Sequence, residues 1–152
     1  MREGDLVPDF QGVDQDGNPI SLSGLLANGP VVLFFYPAAM TTGCTREACH
    51  FRDLATEFKE AGVQRVGISQ DSVDKQKKFS DMHSFDYPLI ADVDGTVSRI
   101  FGVERSVLGK RLSAVKRWTF AIDTDRTVRA VIHSELNMNI HADQALAAFA
   151  RS

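Results

Sequence analysis

The sequence predicts an α/β fold in which helices pack on the faces of a mixed central β-sheet. Residues 31–36 are apolar at every position, the pattern of a central strand that is covered on both sides. Residues 45–61 carry apolar side chains at spacings of three and four, with charged residues between them, as an amphipathic helix does. Strand and helix patterns alternate along the rest of the chain, which indicates a layered domain. With 152 residues, the chain is expected to form one domain, residues 1–152.

The N-terminal part predicts a small β-hairpin in front of the sheet. Residues 9–13 and 20–22 are strand-like, and the turn formers of residues 14–19 separate them. Gly62 ends the amphipathic helix. We then predict a strand at 63–69, a helix at 72–85, a strand at 87–91 and a short helix at 95–101. Two strands at 118–123 and 128–133 are predicted to form a hairpin, and a helix is predicted at 142–150. This order is the thioredoxin-like layout, with an N-terminal β-hairpin extension.

The bulk composition excludes several classes of protein. The 43% hydrophobic and 24% charged fractions are near globular averages, and the formal net charge of −3 gives no bulk attraction to nucleic acid. The N-terminus lacks the apolar stretch of a signal peptide, and the longest apolar run is too short to span a membrane. We therefore expect a cytoplasmic protein with no nucleic-acid or membrane partner.

Cys44 and Cys49 are the chain's two cysteines, and they lie where the amphipathic helix is predicted to begin. A helix N-terminus favours thiolate over thiol, so Cys44 is the candidate nucleophile. On one continuous helix the two Cα atoms would be about 8–9 Å apart, whereas a disulfide needs about 4.4–6.8 Å. A disulfide between them therefore requires the first turns of the helix to unwind.

This arrangement suits a cysteine that reduces peroxides, because a second thiol can condense with the sulfenic acid that forms. An unperturbed cysteine is roughly 3% thiolate at pH 7, so deprotonation alone raises the rate at most about thirtyfold. Donors must also align the two oxygens and stabilise the leaving one. The candidates are the hydroxyl of Thr41, the backbone N–H groups of Gly43 and Cys44, and the guanidinium of Arg117 just before a predicted strand.

These residues resemble the active site of the peroxiredoxins, and most closely the PrxQ or bacterioferritin-comigratory-protein (BCP) branch. That family's centre reads P-x-x-x-T-x-x-C, which Pro37, Thr41 and Cys44 match. The branch continues C-T-x-E-x-C, which residues 44–49 match, and the family's arginine often stands in R-x-T-F, which residues 117–120 match. The resemblance covers nearly the whole chain. It departs at Thr42, where the branch usually has proline.

The resemblance implies an atypical 2-Cys, thioredoxin-dependent peroxidase with Cys44 as the peroxidatic and Cys49 as the resolving cysteine. Thr41 and Arg117 would shape and activate the site, Pro37 would shield the sulfur from water, and Glu47 would support the site at the helix start. The substrates implied are hydrogen peroxide and organic hydroperoxides. A thioredoxin-like dithiol protein would reduce the Cys44–Cys49 disulfide, and a monomer is expected because the branch is often monomeric. We expect no cofactor.

Several alternatives stay open at this point. A thioredoxin-like disulfide reductase normally uses C-x-x-C and a proline before the strand at Trp118, and this chain has neither. A peroxide-sensing redox switch or holdase module is a further interpretation. A zinc site is disfavoured because the cysteine spacing lies outside the usual range, so we expect no metal. Trp118 is either core or a wall of the substrate pocket.

Overall fold

The computed structural model describes residues 1–107 and 110–150, with only the backbone described for 105–107 and 110–114. Its elements, in chain order, are β1 (Gln11–Val13), β2 (Pro19–Ser21), α1 (Leu22–Leu26), β3 (Val31–Phe35), α2 (Thr42–Asp53), α3 (Ala55–Ala61), β4 (Gln64–Ser69), α4 (Val73–His83), β5 (Leu89–Ala91), α5 (Thr96–Phe101), β6 (Glu104–Val107), β7 (Lys110–Val115), β8 (Trp118–Ile122), β9 (Val128–His133) and α6 (Asn139–Ala150).

The central sheet has five strands in the order β5-β4-β3-β8-β9. The strands β3, β4 and β5 are parallel, whereas β8 is antiparallel to both β3 and β9. The predicted mixed sheet is therefore confirmed, with β3 at its centre. The strands β1 and β2 form the predicted N-terminal hairpin.

Alternate residues of β3 supply two hydrophobic clusters, one on each face of the sheet. Val31, Leu33 and Phe35 belong to the first cluster, which the N-terminal segment, α1 and α5 cover. Val32 and Phe34 belong to the second cluster, which α2, α3, α4 and α6 cover. Every residue of β3 is buried, as its uniformly apolar sequence predicts.

The structure corrects three sequence predictions. The helix expected at 45–61 is two helices, because Leu54 leaves the helical conformation (φ −91°, ψ 20°) between α2 and α3. No glycine or proline marks this break, so tertiary packing and not local propensity produces it. The second correction is α1, which was not predicted and which Ser21 caps by accepting a hydrogen bond from the Gly24 N–H. The third is the β6–β7 hairpin, which was also not predicted.

Candidate active site

The loop between β3 and α2 places Cys44 just beyond the C-terminal end of the central strand β3. Met40 has a positive φ of 65°, and Thr41 is the extended N-cap residue from which α2 begins. The backbone N–H of Ala39 donates a hydrogen bond to the Asp71 carboxylate at 2.7 Å, which fixes the loop to the end of β4. Cys44 therefore lies in the first turn of α2, where free N–H groups favour a negative charge.

Arg117 joins the sulfur to a buried carboxyl group. Its Nη2 atom donates to the Cys44 Sγ at 3.4 Å, and its Nη1 atom donates to Glu47 Oε2 at 3.2 Å. The backbone N–H of Arg117 donates to the Glu135 carboxylate at 3.0 and 3.1 Å. Arg117 is only 6% exposed, so solvent screens these contacts weakly. One guanidinium thus bridges two acidic groups on successive turns of α2.

Glu47 is fully buried, which is costly for a carboxylate. Burial raises the pKa of its carboxyl to about 8, although the nearby Arg117 guanidinium acts to lower it. The Glu47 Oε1 atom has no hydrogen-bond partner. The Glu47 Oε2 atom accepts from the Arg117 guanidinium and lies 3.8 Å from His141 Nε2. The environment therefore favours the protonated carboxylic acid near neutral pH.

His141 on α6 completes this buried cluster, and no sequence pattern had indicated a role for it. Its Nε2 atom lies 2.9 Å from the Ser134 carbonyl oxygen, which can only accept, so Nε2 carries the proton. Its Nδ1 atom then accepts from the Thr119 hydroxyl at 2.8 Å. Burial lowers the pKa of His141, which favours the neutral ring. His141 therefore lies beside Glu47 as a neutral ring whose N–H is already donated to Ser134.

Thr41 lies at the rim of the site, and its hydroxyl donates to the Ala38 carbonyl oxygen at 2.8 Å. A hydroxyl that donates its proton there keeps its lone pairs free to accept one from a peroxide O–H. Pro37 is half-buried in the same loop. A Cβ atom on Gly43 would lie 3.3 Å from Arg117 Nη2 and 3.1 Å from Met138 Cε, so a side chain there would press on the guanidinium.

Cys49 follows Cys44 by five residues on α2 and is half-buried, and both thiols are free. Burial raises the pKa of Cys49, which disfavours its thiolate. The carbonyl of Ala48 beside it accepts a hydrogen bond from the buried Tyr87 hydroxyl at 2.6 Å. Phe51 stacks on Phe34 with the ring centroids 4.0 Å apart, so the half of α2 that carries Cys49 is firmly held.

Comparison with known proteins identifies the family to which this site belongs. The model of the AhpC/TSA family matches residues 4–131. A Mycobacterium tuberculosis protein with a provisional peroxiredoxin name is 63% identical over 147 residues, which are 97% of this chain and 95% of that protein. The peroxiredoxin Bcp of Escherichia coli is 37% identical over 143 residues, 93% of this chain and 91% of its own. The chain is a peroxiredoxin of the AhpC/TSA family.

Solved structures agree with this assignment. The peroxidoxin BcpB of M. tuberculosis superposes with a TM-score of 0.94 at 60% identity, covering 99% of this chain and 97% of that one. The bacterioferritin comigratory protein of Xanthomonas campestris, described for its alkyl peroxide reduction activity, superposes with a TM-score of 0.83 at 31% identity and covers 93% and 90% of the two chains. The peroxiredoxin therefore has the thioredoxin-like fold and the BCP/PrxQ relationship that its motifs predict.

The structure places Trp118 away from the sulfur of this peroxiredoxin. Trp118 packs against the first cluster and stacks on His133 with the centroids 4.1 Å apart, whereas Cys44 belongs to the second cluster on the other face. Met138 was not selected from the sequence, yet its methyl group faces Gly43 and the guanidinium. The candidate site that the structure assembles therefore contains Met138 and not Trp118.

Within residues 1–107 and 110–150, no three histidine, cysteine, aspartate or glutamate side chains are arranged to hold a metal ion. No helix in this part of the peroxiredoxin is long and apolar enough to cross a membrane.

Thr42 is the first helical residue of α2, the position at which proline is best tolerated. We expect Thr42→Pro to stabilise the reduced enzyme by about 0.4–1 kcal/mol, because proline restricts the unfolded chain. Amide hydrogen exchange of residues 43–49 should be slower in the variant than in the parent. Exchange in the parent that is equal to or slower than that in the variant would contradict this expectation.

Proposed function

We propose that the enzyme reduces hydrogen peroxide and organic hydroperoxides through a Cys44 sulfenic acid and an intramolecular Cys44–Cys49 disulfide. Thioredoxin or a similar dithiol protein then reduces that disulfide. The observation that supports this most directly is the 3.4 Å contact between Arg117 Nη2 and the Cys44 Sγ, made by a guanidinium that is itself buried.

In the first step, the Cys44 thiolate attacks the terminal oxygen of the hydroperoxide. The O–O bond breaks, the sulfur is oxidised to sulfenic acid, and the other oxygen leaves as hydroxide or alkoxide, which takes up a proton. The Arg117 guanidinium stabilises the thiolate and is placed to stabilise the leaving oxygen. The Thr41 hydroxyl can accept a hydrogen bond from the hydroperoxide O–H and so orient the O–O bond. These three groups supply attack, alignment and charge stabilisation.

The apolar wall of the site supports organic hydroperoxides as substrates. Met138 places a methyl group beside Gly43 and the guanidinium, and a thioether side chain adapts to alkyl groups of different shapes. The alkyl peroxide reduction of the related X. campestris protein agrees with this choice. Hydrogen peroxide needs only the polar groups of the site.

In the second step, the Cys49 thiol condenses with the sulfenic acid, and water leaves as the disulfide forms. Since the two Cα atoms of an intact helix are about 8–9 Å apart, α2 must open first. Opening breaks the Tyr87–Ala48 hydrogen bond or separates Cys44 from Arg117. We propose that the enzyme works in this way as a cytoplasmic monomer.

Stopped-flow mixing of the reduced enzyme with peroxide tests this function. We expect rapid oxidation of the parent, no oxidation in Cys44→Ser, and oxidation that stops at sulfenic acid in Cys49→Ser. Steady turnover with thioredoxin, thioredoxin reductase and NADPH should require both cysteines. Turnover of Cys49→Ser with thioredoxin at the rate of the parent would refute the resolving role. Oxidation of the parent without turnover would instead favour a peroxide-sensing redox switch.

A further inference from the structure

Two acidic groups of α2 face a single guanidinium. Arg117 presents Nη2 to the Cys44 Sγ and Nη1 to Glu47 Oε2, at 3.4 and 3.2 Å. Cys44 is 1% exposed and Glu47 is fully buried. If both groups were ionised, the buried site would hold two negative charges against one positive charge. An uncompensated buried charge is costly, so the two ionisations must oppose each other.

The other groups around Glu47 do not relieve this imbalance. Burial lowers the pKa of His141 and favours the neutral ring, although the hydrogen bond from Nε2–H to the Ser134 carbonyl acts to raise that pKa. The Glu135 carboxylate raises the pKa of Glu47 further, and it binds the Arg117 backbone. The pKa of Tyr87 is raised well above its ordinary value, mainly by burial, so its hydroxyl stays neutral. Among the residues that the structure describes, Arg117 is therefore the cation that both acids share.

We propose that Cys44 and Glu47 share one negative charge, so that Glu47 is protonated while Cys44 is a thiolate and ionises when Cys44 becomes sulfenic acid. This inference rests on the proposed function, which supplies the oxidation. The fully buried carboxyl, with Oε1 unpaired and Oε2 against the guanidinium, is the geometry that carries it. The carboxyl pKa of about 8 agrees with a protonated Glu47 at pH 7 before oxidation.

The balance of protons follows directly. Thiolate, hydroperoxide and protonated Glu47 are converted to sulfenic acid, alcohol and ionised Glu47. The sulfur loses two electrons, the O–O bond accepts them, and the proton that Glu47 releases equals the one that the leaving alkoxide takes up. Glu47 touches Arg117 and not the substrate position, so the two proton transfers are linked through the shared charge and can pass through solvent. The reduced and oxidised sites then each hold one negative charge beside Arg117.

Proton uptake measured with a pH indicator tests this proposal in a Cys49→Ser background, where oxidation stops at sulfenic acid. The thiolate is counted by its ultraviolet absorbance, which disappears on oxidation. At pH 7 we expect the background protein to lose its thiolate with almost no proton uptake. With Glu47→Gln added, uptake should rise to about one proton per thiolate. Equal uptake of about one proton in both proteins, or the lack of a thiolate in the background protein, would overturn the proposal.

A matched control and a spectroscopic measurement guard against a simple folding defect. Glu57 on α3 is exposed, so Glu57→Gln in the same background should leave the proton count unchanged. Infrared difference spectra of the background protein should show a protonated carboxylic acid band that disappears when Cys44 is oxidised. Persistence of the carboxylic acid band, or its absence before oxidation, would overturn the proposal without use of the Glu47 variant.

Alkylation separates a failure of this proposal from a failure of the proposed function. Iodoacetamide consumes the thiolate and releases iodide without using a proton, so ionisation of Glu47 should release about one proton in the background protein. The Glu47→Gln variant should release almost none. An enzyme that does not react with peroxide but gives this difference would retain the shared charge and lose the peroxidase function. Equal release in the two proteins would overturn the shared charge.

Discussion

Replacement of Arg117 by lysine is expected to slow the reaction of Cys44 with hydrogen peroxide by about two to three orders of magnitude. The guanidinium contacts the Cys44 Sγ and Glu47 Oε2 through two different nitrogens. A lysine ammonium is a compact charge and cannot hold both groups in the same planar geometry. The variant should therefore keep a positive charge in the site and still lose alignment of the sulfur and the leaving oxygen.

Stopped-flow rate constants at pH 7, together with the pH dependence of the rate, measure this effect. Arg129→Lys is the matched control, because Arg129 on β9 contacts the Ala148 carbonyl and Asp123 and has no contact with the sulfur. The control should react like the parent. A rate constant of Arg117→Lys within about threefold of that of the parent would show that a positive charge alone is enough for the reaction. The alignment by two guanidinium nitrogens would then not contribute to catalysis.

Phe51→Ala is expected to lower the free energy of unfolding by about 3–5 kcal/mol. Phe51 is fully buried and stacks on Phe34 of the central strand. It also lies 5.9 Å from the Phe58 ring, so its removal leaves a cavity between α2, α3 and the sheet. Because this ring anchors the half of α2 that carries Cys49, the variant should also open α2 more readily.

Urea unfolding of the reduced enzyme measures the loss of stability. Leu136→Ala is the control, since Leu136 is 91% exposed and its truncation should change stability by less than about 0.5 kcal/mol. A loss of less than about 1 kcal/mol in Phe51→Ala would mean that the surrounding rings collapse into the space. The aromatic stack would then not be what holds α2 to the sheet.

The sequence was enough to predict the reactive groups of the site, but not all of the residues that surround them. Cys44, Thr41 and Glu47 lie within one short segment, so their spacing on a helix start already brings them together. Arg117 could be selected because it precedes a strand and matches a motif. By contrast, His141 lies far from Glu47 in the chain, and only the packing of α6 on the sheet brings them within 3.8 Å.

The alternation of side chains along β8 explains on which face of the sheet Trp118 lies, which the sequence composition does not predict. Successive residues of a strand point to opposite faces, so Arg117 and Trp118 cannot both face Cys44 if the strand geometry extends to Arg117. Placing the arginine at the sulfur therefore directs the tryptophan to the first cluster, where the structure has it. The break at Leu54 had no such signal, because neither its residue type nor its neighbours disfavour a helix.

The conformation of Leu54 separates α2, which opens in the proposed cycle, from α3. Leu54 still donates its N–H to the His50 carbonyl and accepts from the Phe58 N–H, so helical hydrogen bonds connect the two helices through this residue. Phe58 holds α3 in the second cluster independently, and Gly62, with φ 72°, ends that helix. In the proposed cycle, the N-terminal part of α2 opens so that the two sulfur atoms can join, while Phe58 keeps α3 packed against the sheet.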